Sequence, residues 1–207
     1  TVVLANESRV AAIQTSRGCP SRCTFCDIRL TKHRHRTADH VMDELWMLKE
    51  RDIREFFIVD DTFTINRERV VELCKRMIDE KLDIPYKISS RVDRVDPELL
   101  ELLAASGCYT IHYGVESGSQ RILDYMQKGV TLKQVETTFK ETKDAGINRF
   151  AYMMMGVPTE TRDEVKRTID FASELQPEFL NYSICTPFPK TYLYENALKE
   201  GEFTYDY

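Results

Sequence analysis

The sequence predicts an α/β fold: a partial (β/α)6, TIM-like barrel in which a parallel sheet is backed by outer helices. Three observations predict it. Short apolar runs alternate six times with segments whose apolar residues recur at helical spacing, the mark of βαβ units and a parallel sheet. Polar and glycine-containing turns follow the runs one after another, so they would gather at the carboxyl ends of the strands. The chain has 207 residues, whereas a closed eight-stranded barrel typically takes about 250 residues.

The elements follow in order. Residues 1–8 read as an N-terminal arm, residues 9–201 as the core domain and residues 202–207 as a tail. Arg9 to Ser16 is the first strand and leads straight into a cysteine loop. The basic run 32–36 (KHRHR) reads as a solvated loop or an anion contact. Val41, Leu45 and Leu48 give a helix over 39–51, with Asp39 as its cap. Glu55 to Val59 is the second strand and ends in Asp60 and Asp61. Asn66 caps a helix over 66–81. Pro85 to Ser90 is the third strand and ends in Ser90 and Arg91. Asp96-Pro97-Glu98 opens the third helix with a cap, an N1 proline and an early acid, and Gly107 closes it.

Tyr109 to Glu116 is the fourth strand. A period of two puts Thr110, His112, Gly114 and Glu116 on one face, and Ile111, Tyr113 and Val115 on the other. The apolar set should pack under helices, leaving the polar set to line the interior. Ser117 begins the crossover over 117–145, read as two helices split near Gly129. Arg149 to Met155 is the fifth strand, followed by Gly156 and Pro158 and a helix over 160–175. Phe179 to Cys185 is the sixth strand, followed by Pro187 and Phe188 and a last helix over 191–200.

Charged residues make up 30% and hydrophobic residues 42% of the chain, an ordinary globular mixture. The formal net charge of −5 argues against a nucleic-acid-binding surface without excluding one. No apolar run is long enough to span a membrane. Thr1 is not an initiator methionine, so the chain is expected to be a segment of a longer protein. The six cysteines do not form a disulfide framework, which points to a reducing cytoplasm.

The chemistry gathers in Gly18-Cys19-Pro20-Ser21-Arg22-Cys23-Thr24-Phe25-Cys26, where Cys19, Cys23 and Cys26 stand at C-x3-C-x2-C spacing. Thiolates are soft ligands suited to iron–sulfur clusters, zinc or Cu(I). Three ligands on a four-iron cluster leave one iron open, and open coordination positions are where metals do catalysis. The alternative is a non-catalytic zinc or electron-transfer module, with His33 or His35 as fourth ligand to a zinc ion.

The cysteine spacing, with Phe25 before the last cysteine, resembles the signature of the radical S-adenosylmethionine (SAM) superfamily. The runs VDDTFTINRERVVELC, SSRVDRVDPELLELLAASGC, HYGVESGSQRILDYMQKG and MMMGVPTETRDEV extend the resemblance over residues 8–201. They are similar to the branch that holds methylthiotransferase-like enzymes and enzymes with a cobalamin-binding domain. The resemblance implies a [4Fe–4S] cluster on the three cysteines and reductive cleavage of SAM to a 5′-deoxyadenosyl radical. It also implies a small-molecule substrate and an electron donor such as flavodoxin or ferredoxin. Cobalamin would sit on a domain outside this chain. Among the site residues, Asp60 and Asp61 would meet the SAM amino group, Glu116 and Ser117 its ribose and methionine, and Gly156 to Glu160 its adenine. Ser90 and Arg91 would donate to SAM, while Phe25 and Phe188 would offer it apolar surface. Thr159 stands where the family commonly has glycine.

Overall fold

A computed structural model describes residues 9–200; the proposed arm 1–8 and tail 202–207 lie outside the described residues. Six strands form one parallel sheet: β1 (Val10–Ile13), β4 (Glu55–Ile58), β5 (Tyr86–Ser90), β6 (Cys108–Glu116), β7 (Asn148–Met155) and β8 (Phe179–Ile184). They pair in chain order, each in parallel with the next. A helix-containing crossover separates each pair. These are α1 (Ala38–Glu50), α2 (Arg67–Asp79), α3 (Pro97–Ala105), the pair α4 (Gln120–Tyr125) and α5 (Leu132–Asp144), then α6 (Arg162–Leu175); α7 (Tyr192–Glu200) follows β8. The sheet stays open between β1 and β8, the half-barrel that the chain length predicts.

The strand faces divide as period two requires. Phe56 and Ile58, Tyr86 and Ile88, Ile111 and Tyr113 join Val41, Leu45, Leu73, Leu99 and Phe139 of the helices in one buried core. The opposite, concave face carries aligned rows. Ser89, His112, Phe150 and Phe179 share one register, and Gly114, Tyr152 and Asn181 the next.

Helix starts are set by caps. Asn66, Asp96, Thr131 and Thr161 each accept a hydrogen bond from the backbone three residues on, and the last two complete capping boxes. The first helix corrects the sequence reading. Thr37, not Asp39, is the N-cap, and Asp39 lies in the first turn, where its charge favours the positive helix end.

A second correction concerns the basic run. Arg34–His35 (β3) pairs antiparallel with Ser16–Arg17 (β2), closing the cysteine loop at its base. Two-residue strands are too short to leave a periodicity in sequence.

Candidate active site

The cysteine loop is folded on itself and pinned to the barrel mouth. Gly18 has φ +91, and a Cβ there would stand 2.5 Å from the Lys32 carbonyl, so the loop can close only on glycine. Its amide donates to Asp61 Oδ2 at 2.7 Å. The Cys19 amide donates to Thr31 Oγ1 at 2.9 Å, and Leu30 N donates to the Ser21 carbonyl. Thr24 N reaches the Met126 carbonyl at the end of α4, while the Thr24 carbonyl accepts from Leu193 N in α7.

Cys19, Cys23 and Cys26 all line one cavity of about 250 Å³ at the carboxyl ends of the strands. Phe25, Asp61, Ser90, Arg91, His112, Gly114, Glu116, Lys128 and Tyr152 are among its other walls. The structure brings Phe25, Asp61, Ser90, Arg91 and Glu116, all named from the sequence, to the mouth that holds the cysteines. Glu116 gets there through a bulge: the register slips between Gly114 and Glu116, and Glu116 itself sits at φ +72. Such left-handed backbone is uncommon for a residue with a side chain and is often found at functional sites.

Five predicted residues take other places. Asp60 is buried, and its carboxylate accepts from the amides and hydroxyls of both Thr15 and Ser16 at 2.6–2.8 Å. Those four donors occupy it, so it ties the segment after β1 to the segment after β4, and it is not among the cavity's lining residues. Ser117 is buried against Thr168 of α6. Gly156 turns at φ +77 and donates to Glu160, outside the cavity lining. Pro158 and Phe188 are exposed and also outside it.

The charges around the sulfurs come from residues whose pairing sequence could not give. Arg91 Nη1 lies 3.6 Å from Cys23 Sγ, its Nε donates to Asp93, and its Nη2 donates to the Lys128 carbonyl at 2.6 Å. Lys128, absent from the sequence-based set, pairs with Glu116 Oε1 at 2.7 Å, and its Nζ lies 5.8 Å from the Phe25 ring centre. Glu116 thus pairs with Lys128, and Arg91 with Asp93. No periodicity marks Lys128; it stands in the turn between α4 and α5, and only the fold carries it across.

The residues fit an anionic, thiolate-held cluster. Burial pushes the free Cys26 thiol up to about 11, against a hydrogen bond with the Ile28 backbone that pulls it down. Ligation must displace that proton, which a polycationic iron core favours. Arg91 turns a guanidinium nitrogen to the Cys23 sulfur, as a thiolate requires, while Lys128 is balanced by Glu116. Gly114 leaves room for that pair: a Cβ there would collide with Glu116 Oε1 and lie 2.8 Å from Lys128 Nζ. A single-ion zinc module fits less well. Among the described residues no group of three His, Cys, Asp or Glu converges on one ion. A cubane needs no such convergence, because each cysteine binds a different iron.

The comparisons with known proteins agree with this reading. The Radical SAM superfamily profile matches residues 13–172. An uncharacterised methyltransferase of Pyrococcus horikoshii is 37% identical over 90% of this chain and 41% of its own length. The anaerobic magnesium-protoporphyrin IX monomethyl ester cyclase of Cereibacter sphaeroides is 32% identical over 96% of this chain and 34% of its own. The chain thus spans about two fifths or less of these relatives. Among solved structures, the radical SAM methyltransferase TsrM from Kitasatospora setae, with cobalamin and a [4Fe–4S] cluster bound, superposes with a TM-score of 0.85. It has 22% identity and covers 92% of this chain and 37% of that one, a likeness of fold. With most of its length under the family profile, this chain belongs to the radical SAM superfamily, whose enzymes work with a [4Fe–4S] cluster and S-adenosylmethionine.

Proposed function

We propose that this chain is the catalytic core of a larger radical SAM enzyme that carries out methyl transfer or ring-forming chemistry on a small molecule, with cobalamin carried by a domain outside the chain. One observation supports this most: three cysteines, an arginine and a buried Lys–Glu pair converge on one cavity at the strand tips. The names of the relatives support the reaction class, being a methyltransferase and a cyclase. When bound, the cluster supplies an electron and an open iron corner to SAM.

The chain's own residues do the rest. Cys19, Cys23 and Cys26 hold the cluster, and Arg91 stabilises charge on the Cys23 sulfur. Lys128 offers a donor to the SAM carboxylate; Glu116 and Asp61 offer acceptors to its ammonium and ribose hydroxyls. Ser90 orients the floor through Thr64, with the two hydroxyls 2.6 Å apart. Phe25 gives the cavity wall an apolar surface. Gly156 and Pro158 enter this assignment through family resemblance alone.

Methylthiolation, the second chemistry of this branch, needs a further cluster. Cys74, Cys108 and Cys185 lie in the apolar core and do not supply one. A flavodoxin- or ferredoxin-type donor suits the outer side of the cysteine loop. There Arg17, Lys32 and Arg34 line a hollow and make no ion pair among the described residues, leaving positive charge for an acidic partner. All six cysteines are free, in keeping with a reducing cytoplasm.

The test is anaerobic reconstitution with iron and sulfide, followed by dithionite and SAM. The wild-type chain should bind about four irons per cluster and release 5′-deoxyadenosine and methionine. Cys19→Ala, Cys23→Ala and Cys26→Ala should each abolish release; turnover that survives them removes the assignment.

A further inference from the structure

The concave face beneath the cysteine loop carries an aromatic row that cluster and SAM binding do not account for. His112, Phe150 and Phe179 share one register across β6, β7 and β8. The His112 and Phe150 rings stack 4.5 Å apart at 15°, and Phe150 and Phe179 follow at 6.1 Å and 21°. Phe57 flanks His112 on its other side at 5.0 Å. One row nearer the cysteines, the Tyr152 hydroxyl lies 3.2 Å from His112 Nδ1, and its ring lies 4.7 Å from Phe150. Both His112 and Tyr152 line the cavity that holds the three cysteines. Tyr152 and Phe179 are 38% and 42% exposed, so the row has free ring surface.

We propose that this row is a stacking platform for a planar heteroaromatic substrate, whose ring N–H or carbonyl is held by the Tyr152–His112 pair. The inference deepens the function proposed above and rests on it only for taking this cavity as the catalytic one. Aromatic faces prefer offset or edge contacts with other rings, and Tyr152 and Phe179 leave ring surface free for one. The pair keeps its polar ends available at neutral pH. Burial, with Lys87 nearby, lowers the His112 imidazole to about 4, and burial raises the Tyr152 phenol. Neither group ionises near neutrality. The hydrogen bond between them can therefore run in either direction, and Tyr152 can meet a donor or an acceptor on the ring edge.

Indole is the probe, followed by saturation-transfer NMR of its ring protons on the cluster-loaded chain. Binding should saturate. 1-Methylindole, which lacks the N–H, should bind about five-fold more weakly, the worth of one hydrogen bond. Tyr152→Phe should erase that preference. Phe179→Leu, at a half-exposed position that the core does not need, should weaken both ligands alike by about five-fold. Saturating S-adenosylhomocysteine should leave indole bound. Absence of saturable binding, indifference to Phe179→Leu, or displacement by S-adenosylhomocysteine would each overturn the proposal. Iron content is measured on the same samples, and indole is also titrated into the metal-free chain. Failure of the cluster assignment is thereby told apart from failure of the platform.

Discussion

Asp60 and Asp61 are neighbours with the same side chain and opposite duties. Asp60 accepts four hydrogen bonds from Thr15 and Ser16 inside the protein, whereas Asp61 accepts one from Gly18 and faces the cavity. Asp60→Ala strands two buried amides and two hydroxyls, so a loss of about 3 kcal/mol or more is expected, against about 1 kcal/mol for Asp61→Ala. Urea denaturation of the two variants measures the difference.

His112 supplies a second test at this scale. Its imidazole is lowered by burial, then by Lys87, from an ordinary value of 6.5 to about 4 in the folded chain. Unfolding lets it take up a proton at any pH below about 6.5. Between those values the unfolded state holds more protons, so stability is full above 6.5 and falls as pH drops through the window. Tyr152, Ser89 in the neighbouring strand and Lys87, the last already paired with Glu55, are polar groups around it. His112→Gln should flatten the stability profile between pH 6.5 and pH 4 relative to wild type, measured by urea midpoints. Residue types near strand ends were legible in the sequence, because each acid follows an apolar run. Which of two adjacent acids turns inward was not, because that depends on donors 45 residues away.

The turn after β7 explains a departure at the scale of the element. Thr159 adopts φ +68, in the left-handed region, at the position where the family resemblance leads one to expect glycine. A β-branched residue resists that conformation, at a cost of roughly 1–2 kcal/mol. Arg121 offsets part of it by donating to the Thr159 hydroxyl and carbonyl, and it also pairs with Glu164 of the α6 capping box. Thr159→Gly keeps the carbonyl contact and relieves the backbone. It should stabilise the chain by about 0.5–1 kcal/mol, read from the urea midpoint. The six long strands and their helices were legible because periodicity and caps are local signals. The β2–β3 ladder was not, since Ser16–Arg17 and Arg34–His35 are fixed by the loop they close.

Across the whole molecule the sheet is open, and its last strand shows what openness costs. The parallel order and half-barrel form followed from counting βα units against chain length. The exposure of β8 did not, because an apolar run such as FLNYSI reads the same buried or bare. All six of its residues are exposed, with Leu180 at 43% and Ile184 at 74%. Among the described residues nothing pairs with its outer side. An apolar edge strand is a template for a second strand from any source. The isolated 207-residue chain should therefore associate as its concentration rises, seen as an increasing sedimentation coefficient. Leu180→Lys combined with Ile184→Lys should suppress that increase, because charge on an edge strand opposes pairing. Both side chains are exposed, so the unfolding free energy should stay within about 0.5 kcal/mol per substitution. Association that persists in the double variant would place the contact elsewhere on the molecule, away from β8.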